Sequence, residues 1–344
     1  MNSLQDWGGP AGRPAPSRNP GVEGSVPPPC GAFNDAHAGA MALGATLYMP
    51  VLHPDCAAMA VGAKLPGLRS MVLCLEDALH PDDTAAGIAA LCRLLAGLAP
   101  SDRRRGEGGP LLFVRPRTLS MARDLAELDG IERVDGFVAP KVGPDDIAGW
   151  QALAERARMP LMPTLERAWV FDPIALGEMA AALTALDPRL IVALRVGGND
   201  LLGLLGLRRE AGRTLYEGPL AMGLSMIMGT LGARGLPLTA PVFDIIDDAA
   251  TLQAEAARDV GFGFVAKTAI HPRQIAPIEA AFAVTAAEAQ LAELILARDA
   301  RAVFRHQGAM IEPATHRGWA ARVQARAAVY GIRPGAARGD VAPD

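Results

Sequence analysis

The sequence predicts an α/β protein built as a (β/α)8 barrel, and three observations support this fold class. Eight short apolar runs alternate along the chain with segments of helical periodicity. Nearly every run ends at a residue with a charged side chain, as strands often do at the carboxyl-terminal face of such a barrel. The chain has 344 residues, of which 50% are hydrophobic, so it is long enough to bury one barrel.

The first four predicted strands justify this reading one by one. Pro50 ends the first strand, and the second strand delivers Glu76 and Asp77 at its end. The third strand ends at Arg115, and the fourth ends at Lys141. The sequence ranges of these strands are Ala45–Met49, Ser70–Leu75, Pro110–Val114 and Gly136–Ala139.

The last four predicted strands obey the same rule. The fifth ends at Glu166, and the sixth is followed by two glycines and then by Asp200. The seventh ends near Asp244 and the eighth at Lys267. Their ranges are Pro160–Leu165, Leu190–Val196, Leu238–Val242 and Phe262–Ala266. A doubly wound open sheet is the alternative fold, but a glycine-rich turn is expected after its first strand, and this chain has none there.

The chain divides into four predicted segments. Residues 1–40 are rich in Gly, Pro, Ser and Asn without apolar periodicity, which predicts a disordered leader. The barrel is predicted over residues 41–284, and a helical extension that acts as a lid over residues 285–332. Residues 333–344 are predicted to form a flexible tail.

The composition excludes several classes of protein. A net charge of −4 gives no general attraction to nucleic acid or to anionic lipid. No apolar run approaches the roughly 20 residues that a membrane helix needs, and the N-terminus does not resemble a signal peptide. The cysteines show no metal-binding spacing, so we expect a cytoplasmic protein with reduced thiols. They are Cys30, Cys56, Cys74 and Cys92.

Seven charged side chains are predicted to meet at the mouth of the barrel. Burying them together is costly unless they pair with one another, bind a metal or bind a charged ligand. Glu166 and Asp200, on neighbouring strands, suit Mg²⁺, with Mn²⁺ as an alternative. Arg115 has the planar fork that clamps a substrate carboxylate. Salt bridges that close the top of the barrel are the structural alternative. The seven are Glu76, Asp77, Arg115, Lys141, Glu166, Asp200 and Lys267.

Six short motifs, in order and at matching spacing, resemble those of the HpcH/HpaI aldolase and citrate lyase β-subunit family. The match spans residues 45–330, and the chain looks most similar to the TIM-barrel C–C bond lyases found in tellurium-resistance-associated biosynthetic operons. The motifs are Leu75-Glu76-Asp77, Val114-Arg115, Pro140-Lys141, Pro163-Thr164-Leu165-Glu166, Gly198-Asn199-Asp200 and Lys267-Thr268-Ala269-Ile270-His271-Pro272-Arg273-Gln274.

The resemblance implies a metal-dependent carbon–carbon lyase that cleaves or forms a 2-oxo or 3-hydroxy acid. In such enzymes the residues matching Glu166 and Asp200 hold Mg²⁺, which stabilises an enolate. The residue matching Arg115 holds the substrate carboxylate. The remaining assignments are Glu76 and Asp77 as orienting groups, Lys141 for charge balance, and Gly198, Asn199, Lys267 and His271 for substrate binding. For Lys267 and His271 the alternative is a packed strand end, with His271 capping the next helix.

The stretch Gly308-Ala309-Met310-Ile311-Glu312 resembles the family's Met-Ile-Asp element. In related acyl-CoA lyases the acid of this element reaches into a neighbouring subunit's site. The resemblance therefore implies that Glu312 is catalytic and that the protein is a homo-oligomer, a trimer or a hexamer. The alternative for the residues immediately after Glu312 is a plain helix start with Thr315 as its N-cap.

One departure from the family concerns coenzyme A. Citrate lyase β-subunits carry a Pro-Gly-Asn-Arg-Pro run after the first strand, where this chain has Pro50-Val51-Leu52-His53-Pro54. The glycine and the arginine are both replaced, which makes a coenzyme A thioester doubtful as the substrate.

Two other functions remain open at this point. One is a Schiff-base aldolase using Lys141 or Lys267, whose amine would need a lowered pKa to attack a carbonyl. The other is a non-catalytic barrel that binds a metabolite or a partner enzyme in a biosynthetic assembly.

Overall fold

The computed structural model describes residues 39–100 and 109–333. The predicted leader, residues 1–40, lies outside this part except for its last two residues, and so do Cys30 and all but the first residue of the predicted tail, residues 333–344. Within the two described ranges, no helix is long and apolar enough to cross a membrane. Cys56 and Cys74 are buried free thiols, and Cys92 is a partly exposed one.

Eight parallel strands form a closed barrel in which each strand pairs with the next in sequence and the eighth pairs with the first. The predicted (β/α)8 TIM barrel is confirmed. The doubly wound open sheet is excluded, since an open sheet has two unpaired edges. The strands are β1 (Ala45–Pro50), β2 (Ser70–Cys74), β3 (Leu111–Arg115), β4 (Gly136–Ala139), β5 (Leu161–Leu165), β6 (Leu194–Val196), β7 (Leu238–Ala240) and β8 (Ala266–Ala269).

Helices alternate with the strands and cover the outside of the barrel. Those that belong to the barrel are α1 (Cys56–Ala60), α2 (Thr84–Gly97), α3 (Leu119–Leu125), α4 (Ile147–Ala157), α5 (Pro173–Thr184), α6 (Gly198–Leu204), α7 (Leu220–Thr230), α8 (Ala249–Phe262) and α9 (Ile275–Phe282). Helix starts are set by local side chains. Pro173 occupies the first turn of α5, and the carboxylate of Asp172 accepts hydrogen bonds from the amides of Ile174 and Ala175.

The inside of the barrel is apolar in its amino-terminal half. A buried cluster there includes Val72, Phe113, Val138, Met162 and Ala266, packed against residues that precede β1. A larger apolar cluster lies between the strands and the surrounding helices. Since the amino-terminal half of the barrel is filled, the charged inward-facing side chains gather at the carboxyl-terminal half, where a site can form.

The predicted eighth strand, Phe262–Ala266, is placed wrongly. Phe262 is the last residue of α8, and Gly263 ends that helix with a φ of 106°, a backbone conformation that glycine adopts most easily. Strand β8 begins only at Ala266. Lys267 therefore lies within the strand and not at its end, and this changes where its side chain points.

The chain continues beyond the barrel with a small helical unit. It contains β9 (Val284–Thr285), α10 (Ala286–Leu296), the hairpin β10 (Phe304–His306) and β11 (Ala309–Ile311), α11 (Pro313–Tyr330) and β12 (Ile332–Arg333). Helices α10 and α11 pack through a buried apolar cluster that includes Ala292, Ile295, Ala320 and Val323.

The end of α11 is tied to the amino-terminal face of the barrel. The hydroxyl of Tyr330 donates to the carbonyl of Val265 at 2.9 Å, and Arg69 donates to the carbonyl of Val329 at 2.7 Å. Val265 and Arg69 directly precede β8 and β2, so this half of α11 lies on the face opposite the strand ends. The predicted lid role of residues 285–332 remains a prediction.

Candidate active site

A cavity of about 640 Å³ opens at the carboxyl-terminal ends of the strands. Six predicted site residues line it: Asp77, Arg115, Glu166, Gly198, Asn199 and Asp200. The remaining lining residues are Tyr48, Thr164, Arg195, Val196, Gly197, Gly203, Leu204, Val242, Thr268 and Ile270.

Glu166 is the most deeply placed acid of this cavity. It comes directly after β5 and is 3% exposed. Its Oε1 accepts hydrogen bonds from the backbone N–H of Lys141 at 2.7 Å and from Arg115 Nη2 at 3.2 Å. Its Oε2 is buried and has no hydrogen-bond partner among the described residues. A buried carboxylate oxygen without a partner is expensive, which indicates that this atom binds a ligand.

The pKa of Glu166 is raised to about 7. Burial is the main cause, the positive charge of Arg115 opposes it, and the nearby negative charge of Asp200 raises it further. Gly197 leaves room for this carboxylate, because a Cβ at that position would collide with Oε2. Glu166 and Asp200 are thus two acids whose charges act on each other across one cavity.

This pair fits a hard divalent cation. Mg²⁺ takes one or two carboxylates and leaves its other positions to water and substrate. In the part of the chain that the structure describes, no three His, Cys, Asp or Glu side chains are grouped to hold a metal by themselves. The two acids therefore suit an open magnesium site better than a closed structural site.

Arg115 is surrounded by acids. Its Nη2 lies 2.7 Å from Glu76 Oε2, 3.2 Å from Glu166 Oε1 and 3.6 Å from Asp77 Oδ2. Its Nε is buried and has no partner among the described side chains and backbone. The guanidinium therefore fixes Glu76 and Glu166 at the mouth, with Nε left over for another acceptor.

Lys141 lies in a left-handed turn after β4, with a φ of 52°. Its Nζ is 2.7 Å from Glu76 Oε1 and 3.3 Å from Asp77 Oδ1. Burial by itself lowers the pKa of Lys141, but the hydrogen bond and the charge of Glu76 outweigh it, and the pKa is raised. A lysine that stays protonated is a poor Schiff-base nucleophile.

The prediction that Lys267 lies at the cavity mouth is wrong. Its side chain is 0% exposed and points outward to α8, where Nζ lies 2.7 Å from Asp259 Oδ2 and 3.0 Å from Glu255 Oε1. Burial favours a lower pKa, but the charges of Asp259 and Glu255 dominate and raise it. Lys267 therefore links the barrel to α8 through ion pairs. It does not line the cavity, so it can neither bind the substrate there nor form a Schiff base with it.

His271 and Glu312 do not line the cavity. His271 Nδ1 accepts a hydrogen bond from the amide of Arg273 at 3.1 Å and so caps the short 3₁₀ helix Pro272–Gln274, as its structural alternative predicted. Glu312 directly precedes α11 and occupies the N-cap position, which the alternative had given to Thr315. The Thr315 hydroxyl instead donates to the carbonyl of Glu312 at 3.0 Å.

Four polar cavity residues were not predicted from the sequence, namely Tyr48, Thr164, Arg195 and Thr268. The prediction rested on charges at strand ends, and these residues lie within strands. Arg195 gave the clearest available signal, because an arginine between Leu194 and Val196 interrupts an otherwise apolar strand.

Comparison with known proteins identifies the family. The family model described as C–C bond lyase of the TIM-barrel fold matches residues 37–332. A (3S)-malyl-CoA thioesterase from Cereibacter sphaeroides is 31% identical over 244 residues, which is 70% of this chain and 79% of that protein. An L-malyl-CoA/beta-methylmalyl-CoA lyase from the same species is 28% identical, over 69% of this chain and 79% of that protein.

Solved structures give the same result. CitE from Mycobacterium tuberculosis, in complex with magnesium, acetoacetate and coenzyme A, matches with a TM-score of 0.62 and 26% identity, over 84% of this chain and 99% of that chain. The citrate lyase β-subunit of the same organism, with oxaloacetate and magnesium, matches at 0.52 and 25%, over 71% of this chain and 98% of that chain.

These comparisons confirm the predicted family resemblance and the predicted lyase class. They also show magnesium bound in related structures, as predicted. The chain belongs to the C–C bond lyase family of the TIM-barrel fold.

Proposed function

We propose that Glu166 and Asp200 hold Mg²⁺ and that the enzyme cleaves or forms a carbon–carbon bond of a 2-oxo or 3-hydroxy acid. The observation that carries this proposal is the buried, unpartnered Oε2 of Glu166, which lines the same cavity as Asp200. The magnesium and oxaloacetate of the citrate lyase β-subunit support it by analogy. Mn²⁺ would suit the same oxygen ligands.

The bound metal would act as a Lewis acid that stabilises negative charge developing on a carbonyl oxygen of the substrate. The protein's own side chains prepare the site for that charge. Arg115 and the backbone N–H of Lys141 fix Glu166 through its Oε1, which leaves Oε2 directed to a ligand. Glu76 forms ion pairs with both Arg115 and Lys141 and so fixes the positions of these two cations beside the site. Asn199 lies at the rim, where its amide donates to Asp244 at 3.4 Å.

The test is calorimetric titration of the wild-type protein with Mg²⁺ and with pyruvate, glyoxylate or oxaloacetate, alone and together. We expect the metal and a 2-oxo acid to strengthen each other's binding, since the acid supplies ligands that two carboxylates leave open. Removal of the metal with a chelator should abolish binding of the acid. Equal binding of the acid with and without metal would contradict the proposal.

We also propose that the protein works as a homo-oligomer, a trimer or a hexamer, in which Glu312 serves a neighbouring subunit. Glu312 does not line the cavity of its own chain, and large apolar side chains near it are exposed. Val303 is 51% exposed, Met310 65% and Trp319 38%. Exposed large apolar side chains in the segment that carries Glu312 favour contact with another protein surface.

Light scattering measures the assembly, and we expect a trimer or a hexamer. Replacing Met310 and Trp319 with serine should yield smaller species that keep the barrel's circular dichroism. Ser225→Ala is a suitable control, because that exposed hydroxyl donates to the carbonyl of Ala221 in its own helix. A wild-type monomer would contradict the proposal. The sequence-based doubt about a coenzyme A thioester as substrate remains a prediction, and so does a cytoplasmic location.

A further inference from the structure

The floor of the cavity contains a buried cation that lacks a carboxylate partner. Arg195, in β6, is 1% exposed and lines the cavity. Its guanidinium donates to the hydroxyl of Thr268, lies 3.9 Å from the sulfur of Met162 and sits 4.9 Å from the ring centre of Tyr48. No carboxylate of the described residues forms an ion pair with it. All of these partners are neutral, which leaves the charge uncompensated.

The burial of this charge distinguishes Arg195 from the other arginines of the site. Arg115 meets three acids within 4 Å, whereas Glu166 acts on Arg195 only from beyond ion-pair distance. Burial also raises the pKa of Tyr48, so its phenol is neutral and cannot serve as the counter-ion. An isolated buried guanidinium is costly, and an anionic ligand would offset that cost.

A second unsatisfied group lies beside it. Thr164, in β5, is the register partner of Arg195, so the two side chains face the same side of the sheet. The Thr164 hydroxyl lines the cavity, is buried and has no hydrogen-bond partner among the described residues. A cation and a free hydroxyl on adjacent strands are complementary to one carboxylate.

The spacing also fits one substrate molecule. Glu166 directly follows β5, two residues beyond Thr164, which places its backbone up to about 6.6 Å further along the strand direction, towards the cavity mouth. This separation is comparable to the length of a small dicarboxylic acid. One end of such an acid would meet the metal held by Glu166 and Asp200 while the other end reaches Arg195.

We infer that Arg195, Thr164 and Thr268 form a second anion-binding subsite, at the cavity floor, for a distal carboxylate of the substrate. The substrate is then an acid with two carboxylates and not a monocarboxylic 2-oxo acid. This inference rests on the proposed function, because the first carboxylate is assigned to the metal end of the cavity.

The test compares the binding of oxaloacetate with that of pyruvate, which lacks the distal carboxylate, in the presence of Mg²⁺. We expect the wild type to bind oxaloacetate at least about tenfold more tightly. Arg195→Met should remove this preference and leave pyruvate binding unchanged. Arg195→Lys keeps the charge without the fork and should retain part of the preference.

Two further measurements separate binding from folding. Thr239→Val is the matched control, since Thr239 is also a buried unpartnered threonine in register with Arg195 but does not line the cavity. It should keep the wild-type preference. The melting temperature of Arg195→Met should equal or exceed that of the wild type, because the variant removes a buried charge that has no acid partner.

The outcomes of these experiments are distinct. Equal affinity of the wild type for both acids, or equal weakening of both acids in Arg195→Met, would overturn the inference. If pyruvate binds with Mg²⁺ and the distal carboxylate adds nothing, the inference alone is wrong. If neither acid binds with Mg²⁺, the proposed function is wrong as well.

Discussion

Replacing Glu166 with glutamine is expected to remove metal binding and to stabilise the protein above pH 7. The amide keeps the shape of the side chain and can still accept from Lys141, but it is a far weaker ligand for Mg²⁺ than a carboxylate. We expect the affinity for Mg²⁺ to fall at least about a hundredfold, which corresponds to about 2.7 kcal/mol. Titration calorimetry measures this loss.

The stability gain comes from the sign of the pKa shift. The folded-state pKa of Glu166 is raised from 4.5 to about 7, so between these values the unfolded chain loses a proton that the folded chain keeps. The free energy of unfolding of the wild type therefore falls as the pH rises from about 4.5 to about 7. Glutamine removes this penalty, which a shift of this size makes about 3 kcal/mol.

Denaturant unfolding at pH 5 and at pH 8, without metal, checks this second effect. The stabilisation by Glu166→Gln should be larger at pH 8. Asp187→Asn serves as the control, because that exposed acid pairs with Arg189 far from the cavity and should leave Mg²⁺ binding intact. A Glu166→Gln variant that binds Mg²⁺ like the wild type would contradict the assignment of this ligand.

Replacing Lys267 with methionine is expected to destabilise the protein strongly while sparing the active site. The variant leaves Asp259 and Glu255 without their shared cation in a site from which water is excluded. Breaking a buried pair in this way costs about 3–5 kcal/mol. Denaturant unfolding measures the cost, which should grow as the pH rises from acidic to neutral, because the two acids then ionise without their cation.

The three lysines of the chain offer a matched control. Lys64 forms an exposed ion pair with Asp55 at 2.5 Å, and Lys64→Met should change stability very little. A second variant, Lys267→Met with Asp259→Leu, removes both charges and should recover much of the lost stability. If the Lys267→Met variant is as stable as the wild type but no longer binds the 2-oxo acid, Lys267 has the substrate-binding role that the sequence predicted, and this account of it is wrong.

The barrel could be predicted because eight apolar runs alternated with helical segments and all but the first run ended at or near a charged residue. The same rule found Arg115, Glu166 and Asp200, since carboxyl ends of neighbouring parallel strands meet at one face. It also brought Lys141 and Glu166 together, because they follow the ends of the adjacent strands β4 and β5, and the backbone N–H of Lys141 donates to Glu166. For these residues the position along a strand was sufficient.

Lys267 could not be placed by this rule because its strand boundary was wrong. The run Phe262–Ala266 contains the last residue of α8, a three-residue connection and the first residue of β8. Apolar periodicity over so short a run does not distinguish a helix end from a strand. Alternate residues of a strand face opposite sides, so placing Lys267 within β8 directs its side chain away from the cavity.

Arg195 was missed for a different reason. The prediction considered the residues just beyond the end of each strand, whereas Arg195 and Thr164 contribute from within β6 and β5. Whether an internal strand residue faces the cavity depends on the register and tilt of all eight strands, which a single sequence does not provide.

The most direct test of the metal site is a crystal structure of the protein grown with Mn²⁺ and oxaloacetate, with an anomalous difference map recorded for the metal. We predict one metal peak in the cavity, within about 2.2 Å of carboxylate oxygens of Glu166 and Asp200 and in contact with the 2-oxo acid. A bound acid without metal, or a metal peak that touches neither carboxylate, would contradict this prediction.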